Sequence, residues 1–342
     1  MFKMSLNNLQ KTILVTGGAG FIGSNFIPYF LEANKHLSVL NLDKLTYAGN
    51  LDNLCVVANK KRYSFIKGDI TNRQIVEKVF KENQIDGVIH FAAESHVDNS
   101  IHNPGSFIKT NIDGTFVLLE AAKDSWGEHN IDKRFHHIST DEVYGSLGQF
   151  GFFTEETPYA PNSPYSASKA ASDFLVRSYG KTYGLNVVTT NCSNNFGPKQ
   201  HDEKLIPTVI RKAIELEKIP IYGNGKNIRD WLYVIDHCEG INEVFHNGKS
   251  GETYLFGGNN EYNNLQIANK ICSILDIIKP RPFGSYMEQI TFVTDRKGHD
   301  YRYAINAHKC KEELGWEPSG NFDSVLKKTV QWYIEKYNKL KK

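Results

Sequence analysis

The chain has 342 residues, of which 40% are apolar, enough to bury a complete α/β core and to build a second, smaller lobe. Its 40 Lys and Arg residues are mixed among 38 Asp and Glu residues, so no basic face indicates a nucleic-acid-binding protein. No apolar run reaches the length of a membrane span, no signal-peptide core opens the chain, and the five cysteines include no C-x-x-C pair, so we expect a cytoplasmic protein without disulfides.

The first half of the chain alternates short β-rich runs with stretches of helical periodicity. Candidate strands lie at residues 12–16, 38–42, 63–67, 87–91, 135–139 and 186–190. Candidate helices lie at residues 21–33, 74–83, 107–124 and 166–183. Because strands that alternate with helices pair in parallel through right-handed crossovers, the pattern predicts a doubly wound parallel (Rossmann) sheet.

The rhythm changes after Asn191. Loops rich in Gly, Pro and Asn at residues 192–202, 220–227 and 257–263 separate shorter elements, and helices are predicted near 265–275 and 322–337. We therefore predict a first domain over residues 1–190, rejoined by about 233–263, and a smaller C-terminal lobe over 191–342 that covers the carboxyl edge of the sheet.

A glycine-rich turn follows the first predicted strand. Gly17, Gly20 and Gly23 form a G-x-x-G-x-x-G spacing between strand and helix, where backbone N–H groups can approach a pyrophosphate closely. Asp43 ends the second strand, where a carboxylate can bind the hydroxyls of an adenosine ribose. Its charge would repel the extra phosphate of NADP despite the neighbouring Lys44, so the pattern favours NAD. The alternative is an ordinary strand–turn–helix with surface carboxylates.

The ends of the third and fourth strands are expected to complete the NAD site. Asp69 and Ile70 follow the third strand and would flank the adenine. Ala92 and Ala93 follow the fourth, where small side chains let the backbone come near the cofactor. The first domain is thus predicted to bind NAD.

Tyr165 and Lys169 lie four residues apart where a helix begins, so they share one helix face. A free phenol has a pKa of about 10, and an adjacent ammonium lowers such a pKa by about one to three units. Tyr165 would then be a base for a sugar hydroxyl, with Lys169 also holding the nicotinamide ribose and Thr140 sharing the hydrogen bond to that hydroxyl. The spacing alone recurs by chance, and the alternative is an amphipathic helix with a packed tyrosine and a solvated lysine.

Two adjacent carboxylates, Asp141 and Glu142, follow the fifth predicted strand. Neighbours on a strand point to opposite faces, so both can serve one site only if the strand has ended there. Oxidation at C4 of a hexose acidifies the C5 proton, and a base and an acid can then expel the C6 hydroxyl as water. Glu142 is the candidate base and Asp141 the candidate acid, with a pKa raised by burial beside another carboxylate. The alternative is a pair of surface turn carboxylates.

From Ile13 to about Tyr333 the chain resembles the dTDP-glucose 4,6-dehydratase family, extended short-chain dehydrogenases/reductases of bacterial deoxysugar synthesis. The resemblance lies in residues 16–24, 43–50, 92–98, 136–145, 164–169, 191–195, 204–207, 220–223, 228–233 and 295–303. Lys297, Phe196 and the stretch 279–285 depart from the family pattern, and the last leaves the rim of the nucleotide pocket less defined.

The resemblance implies roles for many individual residues. The implied catalytic set is Thr140, Asp141, Glu142, Tyr165 and Lys169. The implied NAD contacts are Gly17, Gly20, Phe21, Ile22, Gly23, Asp43, Lys44, Leu45, Thr46, Asp69, Ile70, Phe91, Ala92, Ala93, Thr110, Tyr165, Lys169 and Asn195. The implied contacts to the substrate, dTDP-glucose, are Ser95, Thr140, Asn194, Lys204, Leu205, Pro220, Ile221, Tyr222, Arg229, Asn264, Asp295, Arg296 and His299.

Further implications concern charge, assembly and alternatives. Lys204, Arg229 and Arg296 suit a diphosphate, and the helices at 107–124 and 166–183 are expected to form the four-helix bundle of a homodimer. The alternatives are a UDP-hexose 4-epimerase, a 4,6-dehydratase for another nucleotide sugar, and a non-catalytic NAD-bound scaffold. The nucleotide is left open because residue types do not separate thymine from uracil. We predict no metal site, because His136 and His137 point to opposite faces of a strand and no ligand spacing recurs.

Overall fold

A parallel seven-stranded sheet forms the centre of the computed structural model, which describes residues 11–127 and 132–340. Residues 1–5, where no signal-peptide core is expected, lie outside this description. The sheet has the strand order β10-β6-β5-β4-β1-β2-β3, which confirms the predicted doubly wound architecture. The strands are β1 (Lys11–Thr16), β2 (Leu37–Asp43), β3 (Tyr63–Lys67), β4 (Ile85–His90), β5 (Arg134–Thr140), β6 (Val187–Cys192), β7 (Asn194–Phe196), β8 (Ile219–Tyr222), β9 (Ile228–Tyr233), β10 (Thr253–Phe256), β11 (Glu261–Asn263) and β12 (Ile290–Val293).

Helices cover both faces of the sheet and build most of the second lobe. They are α1 (Phe21–Ala33), α2 (Arg73–Glu82), α3 (Val97–His102), α4 (Pro104–Phe107), α5 (Gly114–Trp126), α6 (Pro164–Tyr183), α7 (Leu205–Ile214), α8 (Val234–Asn247), α9 (Asn264–Ile278), α10 (His308–Leu314) and α11 (Phe322–Leu340). The single helix predicted at 107–124 is wrong in detail, because the π-helical segment Ile108–Asp113 separates α4 from α5. Asn111 in this segment binds the backbone of Glu94 through both ends of its amide, which draws the segment toward the sheet edge.

The sheet is buried on both faces, as the near-continuous apolar runs of its strands predict. Successive residues of β1 enter opposite cores: Val15 packs with Phe30 of α1 and with α8, whereas Leu14 packs with Leu118 of α5 and Val176 of α6. Each of these five side chains is fully buried. This packing holds the carboxyl ends of the strands in fixed positions along one edge.

Helix α6, which carries Tyr165 and Lys169, has well-defined ends. Ser163 forms a capping box with Ser166, with Oγ accepting from the Ser166 N–H at 3.0 Å, and Pro164 occupies the first turn. Gly184 ends the helix in a left-handed conformation at φ +65°. The start of the helix is therefore rigid at the place where the tyrosine is presented.

The second lobe contains the small sheets β11-β9-β7 and β12-β8. Ile210 of α7, Ile271 of α9 and Tyr333 of α11 form its separate core. Between these elements the chain returns to the first sheet, where α8 packs on α1 and β10 pairs with β6. The division at residues 190 and 191, with a return at about 233–263, stays a prediction about domains. Among the described residues, no helix combines the length and apolar composition needed to cross a bilayer.

Candidate active site

A cleft of about 310 Å³ opens at the carboxyl ends of the parallel strands, where α/β folds bind ligands. All five predicted catalytic residues line it, as does every predicted cofactor residue except Leu45. Leu45 instead donates its backbone N–H to Asp43 Oδ1 at 2.7 Å and takes a positive φ of 57°. The cleft thus brings together residues that are up to 187 positions apart in the chain, from Gly17 to Lys204.

The glycine turn is built for close backbone approach. Gly17 has a φ of +72°, and a Cβ there would lie 2.6 Å from the backbone nitrogen of Ala92. A Cβ at Gly23 would lie 2.6 Å from the carbonyl oxygen of Gly17. The N-terminus of α1 follows at Gly20 without a side-chain cap, so its backbone N–H groups are available to a pyrophosphate. These features fit a dinucleotide.

Asp43 is buried at the end of β2 and lines the same cleft. Its carboxylate also holds the turn, because Oδ2 accepts from the N–H of Ala19 at 2.9 Å. Lys44 forms an ion pair of 2.8 Å with Asp69, so both of these cleft residues are positioned by each other. The Asp43 carboxylate in this position suits ribose hydroxyls and opposes a 2′-phosphate.

Lys169 lies 4% exposed at the floor of the cleft, one turn after Tyr165. Its ammonium donates to the carbonyl of Ile138 on β5 at 2.8 Å, and burial lowers its pKa to about 8. The expected decrease in the pKa of Tyr165 is not seen in this structure. Burial raises that pKa well above its ordinary value, and the charge of Glu142 raises it further. The Lys169 ammonium is directed at the carbonyl of Ile138 on the strand.

Thr140, Asp141 and Glu142 stand where β5 ends and the 3₁₀ turn Asp141–Tyr144 begins, as the placement of two carboxylates in one site requires. The Thr140 hydroxyl accepts from the Glu142 N–H at 3.3 Å and lies 3.3 Å from Asp141 Oδ1, to which it donates. Burial raises the pKa of Asp141 well above its usual range, and the charge of Glu142 raises it further. This confirms the expected environment of the candidate acid.

Glu142 also has a raised pKa, caused by burial and opposed by the charges of Arg296, Arg229 and Lys204. A carboxylate whose pKa is moved toward neutrality is a more effective acceptor of a proton from carbon. The three cations predicted for a diphosphate therefore face the candidate base from the second lobe. They are near enough to the same site to act electrostatically on it.

The predicted substrate residues fall into two groups. Ser95, Asn194 and Lys204 line the cleft along with Thr140, and Lys204 donates to the carbonyl of Ser95 at 3.2 Å. Residues outside this lining are Leu205, Pro220, Ile221, Tyr222, Arg229, Asn264, Asp295, Arg296 and His299.

Contacts near Asp98 link part of the second group to the first domain. Tyr222 donates to the Asp98 carboxylate at 3.3 Å, and an Arg296 nitrogen lies 4.0 Å from it. His299 pairs with Asp295 at 2.6 Å. Arg229 is buried, donates to the backbone carbonyl groups of Ile228, Asp300 and Tyr301, and stacks over the ring of Tyr303 at 4.2 Å. The roles of these residues stay predictions.

Sequence reasoning missed several residues that line the cleft. These are Leu42, Ala48, Gly49, Gly68, Glu94, Ile138, Ser139, Cys192, Ser193, Gln200, His201 and Glu203. Most adjoin predicted residues at the ends of strands, so their position in the chain was the available signal. Gln200, His201 and Glu203 come from a loop of the second lobe and had no such signal. The described segments contain no group of three or more His, Cys, Asp or Glu side chains placed to hold a metal ion.

Comparisons with known proteins give one consistent family. The profile of the GDP-mannose 4,6 dehydratase family matches residues 14–329. The dTDP-glucose 4,6-dehydratase of Xanthomonas campestris pv. campestris (strain B100) is 56% identical over 331 residues, covering 95% of this chain and 93% of that protein.

Two solved structures agree with this result. The dTDP-glucose 4,6-dehydratase of Bacillus anthracis in complex with NAD is 46% identical with a TM-score of 0.85, covering 96% of this chain and 98% of that one. The Streptomyces venezuelae dTDP-glucose 4,6-dehydratase with NAD and TYD bound is 42% identical with a TM-score of 0.88 over the same shares. The matches cover nearly the whole chain, and this chain belongs to the dTDP-glucose 4,6-dehydratase family of NAD-dependent short-chain dehydrogenases/reductases.

Proposed function

We propose that the protein converts dTDP-glucose to dTDP-4-keto-6-deoxyglucose and water, with bound NAD recycled in each turnover. The observation that carries the proposal is the pair Asp141 and Glu142 at the end of β5, in the same cleft as Tyr165 and Lys169. A dehydrogenase needs only the tyrosine and lysine. An enzyme that also removes water needs an acid and a base beside them.

Bound NAD would accept the hydride from C4 of the glucose and return it to C6. The residues that would hold it are the glycine turn at Gly17, Asp43 and Lys169. Tyr165 takes the proton of the C4 hydroxyl, and the Thr140 hydroxyl hydrogen-bonds the same oxygen. Because burial raises the pKa of Tyr165, the phenolate requires positive charge beside it, which Lys169 and an oxidised nicotinamide ring provide.

The two carboxyl groups divide the elimination between them. Glu142 removes the C5 proton once C4 is a ketone, and Asp141, whose pKa is raised by burial and by the charge of Glu142, gives its proton to the departing C6 hydroxyl. Glu142 then returns a proton to C5 as the hydride reaches C6. Lys204, Arg229 and Arg296 bind the diphosphate, which places the glucose over these groups.

The leading alternative is 4-epimerisation of a UDP-hexose on the same fold. An epimerase rotates a C4 ketone and returns the hydride to C4, so it needs neither a base at C5 nor an acid at C6. The buried Asp141 and the half-buried Glu142, both with raised pKa values, would then stabilise nothing in the reaction, although desolvating them costs free energy. The arrangement therefore favours dehydration.

Incubation of the purified protein with dTDP-glucose and NAD tests the proposal. Mass spectrometry is expected to show a product lighter by one water, without net change in NAD. UDP-, CDP- and GDP-glucose supplied in competition define the preferred nucleotide. A product of unchanged mass would instead identify an epimerase, and binding of NAD without turnover of any nucleotide sugar would identify a scaffold.

We further propose that two copies associate through α5 and α6 as a four-helix bundle in the cytoplasm. Ile108, in the segment before α5, and Phe174 and Tyr183 of α6 are 52%, 58% and 53% exposed. Exposed apolar groups of this size mark interaction surfaces when they cluster. The cytoplasmic location is supported by five unpaired cysteines, of which four are buried thiols.

Phe174→Glu is expected to weaken this dimer, because it places a charge in the centre of an apolar contact. Loss of a buried aromatic anchor costs about 2 kcal/mol or more of association free energy. Sedimentation should therefore show that the variant dissociates at a higher protein concentration than the wild-type protein. Phe283→Glu is the matched control, since Phe283 is 88% exposed but lies in the second lobe. An unchanged dimer in Phe174→Glu would show that the contact lies elsewhere.

A further inference from the structure

A buried carboxylate lies behind the proposed catalytic lysine and has no part in the steps described above. Asp173 stands one turn after Lys169 on α6 and is 4% exposed. Its Oδ1 lies 3.1 Å from Nε2 of His137, a fully buried residue of β5. Its Oδ2 accepts from the hydroxyl of Ser139 at 2.9 Å. The carboxylate thus ties α6 to the strand that ends in Thr140.

Two further donors complete the environment of Asp173. The Tyr159 hydroxyl donates to Oδ2 at 2.8 Å, and the amide of Asn191 on β6 lies 3.3 Å from the same oxygen. The Asn191 amide also donates to the carbonyl of Thr140 at 3.0 Å. A single carboxylate therefore gathers donors from β5, β6 and the loop before α6, and one of these donors supports the backbone of a proposed catalytic residue.

The ammonium of Lys169 needs a counter-charge, because an isolated buried charge is strongly unfavourable. It donates to the Ile138 carbonyl at 2.8 Å and lies 3.4 Å from Nε2 of His137, and both are uncharged groups at neutral pH. Within residues 11–127 and 132–340, no carboxylate lies within ion-pair distance of this ammonium. Asp173 lies 3.1 Å from the same nitrogen of His137, so one neutral ring separates this carboxylate from the ammonium.

The tautomer of His137 follows from these contacts. Burial lowers the pKa of His137 to about 4, so the ring is neutral and carries one proton. A carboxylate only accepts, so Nε2 must carry that proton to bond Asp173 at 3.1 Å. Nε2 then cannot accept from Lys169, and Nδ1 is left without a partner among the described residues. The ring therefore packs against Lys169 without accepting a hydrogen bond from it. One ammonium proton binds the Ile138 carbonyl, and the other two remain free for groups in the cleft.

We propose that Asp173 is a positioning residue for the reaction: it fixes the ring of His137 against Lys169 and supplies the negative charge that keeps the buried ammonium protonated. The proposal deepens the proposed function and rests on it, since Lys169 must be charged to hold the nicotinamide ribose and to favour the phenolate of Tyr165. Asp173 itself touches neither the cleft nor a reacting atom.

The electrostatics agree with this geometry. Burial lowers the pKa of Lys169 to about 8, and the charge of Asp173 opposes that decrease. The titratable groups that face Lys169 are Tyr165 and Asp173 from α6, His137 from β5, Cys192 from β6 and His90 from β4. Burial lowers the pKa values of both histidines and raises that of the Cys192 thiol, so all three groups are neutral near pH 7. Asp173 is then the group in this set that supplies negative charge.

Asp173→Asn tests the proposal, because it keeps the shape of the side chain and removes its charge. Lys169 is protonated below its pKa and loses its charge as pH rises through it, so a lower pKa moves the loss of activity to lower pH. We expect the alkaline limb of the kcat/KM profile to move down by about one pH unit or more. An alkaline limb that coincides with that of the unchanged chain would overturn the proposal.

Tyr159→Phe is the matched control, since it removes one neutral donor from the carboxylate and leaves its charge in place. Its alkaline limb is expected to stay or to move to higher pH. If Asp173→Asn cannot be obtained as a folded protein, the pH profile of Tyr159→Phe decides the question. Movement of its alkaline limb to lower pH would show that Asp173 has a structural role only. An inactive unchanged chain would contradict the proposed function, whereas an active unchanged chain with an unshifted Asp173→Asn profile would contradict this inference alone.

Discussion

Glu142→Gln is expected to stop dehydration while leaving the first hydride transfer possible. Glutamine cannot take the C5 proton, so turnover should fall by about 10²–10⁴-fold, the usual contribution of a general base. Oxidation at C4 still has Tyr165 and Lys169, so the absorbance of reduced nicotinamide should rise after dTDP-glucose is added and persist. Exchange of the C5 hydrogen with deuterated water, followed by mass spectrometry, should be lost to the same degree.

Glu155→Gln is the matched control for this experiment. Glu155 has a pKa that burial raises, as Glu142 has, but it lies outside the lining of the cleft. Its amide variant should therefore retain normal turnover and C5 exchange. Full dehydration by Glu142→Gln would show that another group is the base at C5. The argument that Glu142 separates this site from that of an epimerase would then fail.

Tyr165→Phe is expected to block the reaction one step earlier. Without the phenol oxygen, nothing accepts the C4 hydroxyl proton, so no reduced nicotinamide should appear when substrate is added and turnover should again fall by about 10²–10⁴-fold. NAD content after purification should remain normal, because Gly17, Asp43 and Lys169 stay in place. The two variants are thus separated by one spectroscopic signal, present in Glu142→Gln and absent in Tyr165→Phe.

Tyr144→Phe provides the control for loss of a buried phenol. Tyr144 is 3% exposed, burial raises the pKa of its hydroxyl, and it lies outside the lining of the cleft. Removing that hydroxyl should cost little stability or activity. Accumulation of reduced nicotinamide in Tyr165→Phe would mean that Thr140 or another group accepts the hydroxyl proton.

Most of the first domain could be predicted because its signals are local. Strand β3 and helix α1 have the bounds that periodicity predicts, and Asp43 and Asp141 stand where the apolar runs of β2 and β5 end. The π-helical segment Ile108–Asp113 could not be predicted, since the bonds that Asn111 makes to Glu94 depend on tertiary contact. The helical periodicity of the sequence continues through this segment, so it gives no sign of the change in helix type.

The electrostatics of the site were harder to predict than its members. The pair Tyr165 and Lys169 indicates a lowered phenol pKa only if their charged ends face each other, whereas the ammonium binds Ile138 instead. Asp173 gave no signal at all, because a carboxylate in an amphipathic helix is usually solvated. Only the folded arrangement shows that it is surrounded by donors from other elements.

The path of the chain has a consequence for recombination between relatives. Strand β10 joins the edge of the large sheet beside β6, but β7, β8 and β9 of the other lobe lie between β6 and β10 in the sequence. A fragment that stops after β6 would leave the edge of that strand unpaired and prone to associate with other chains. Exchange of a whole lobe between two such enzymes therefore needs at least three crossover points. With a single junction after β6, the edge strand β10 of the large sheet would come from the other parent.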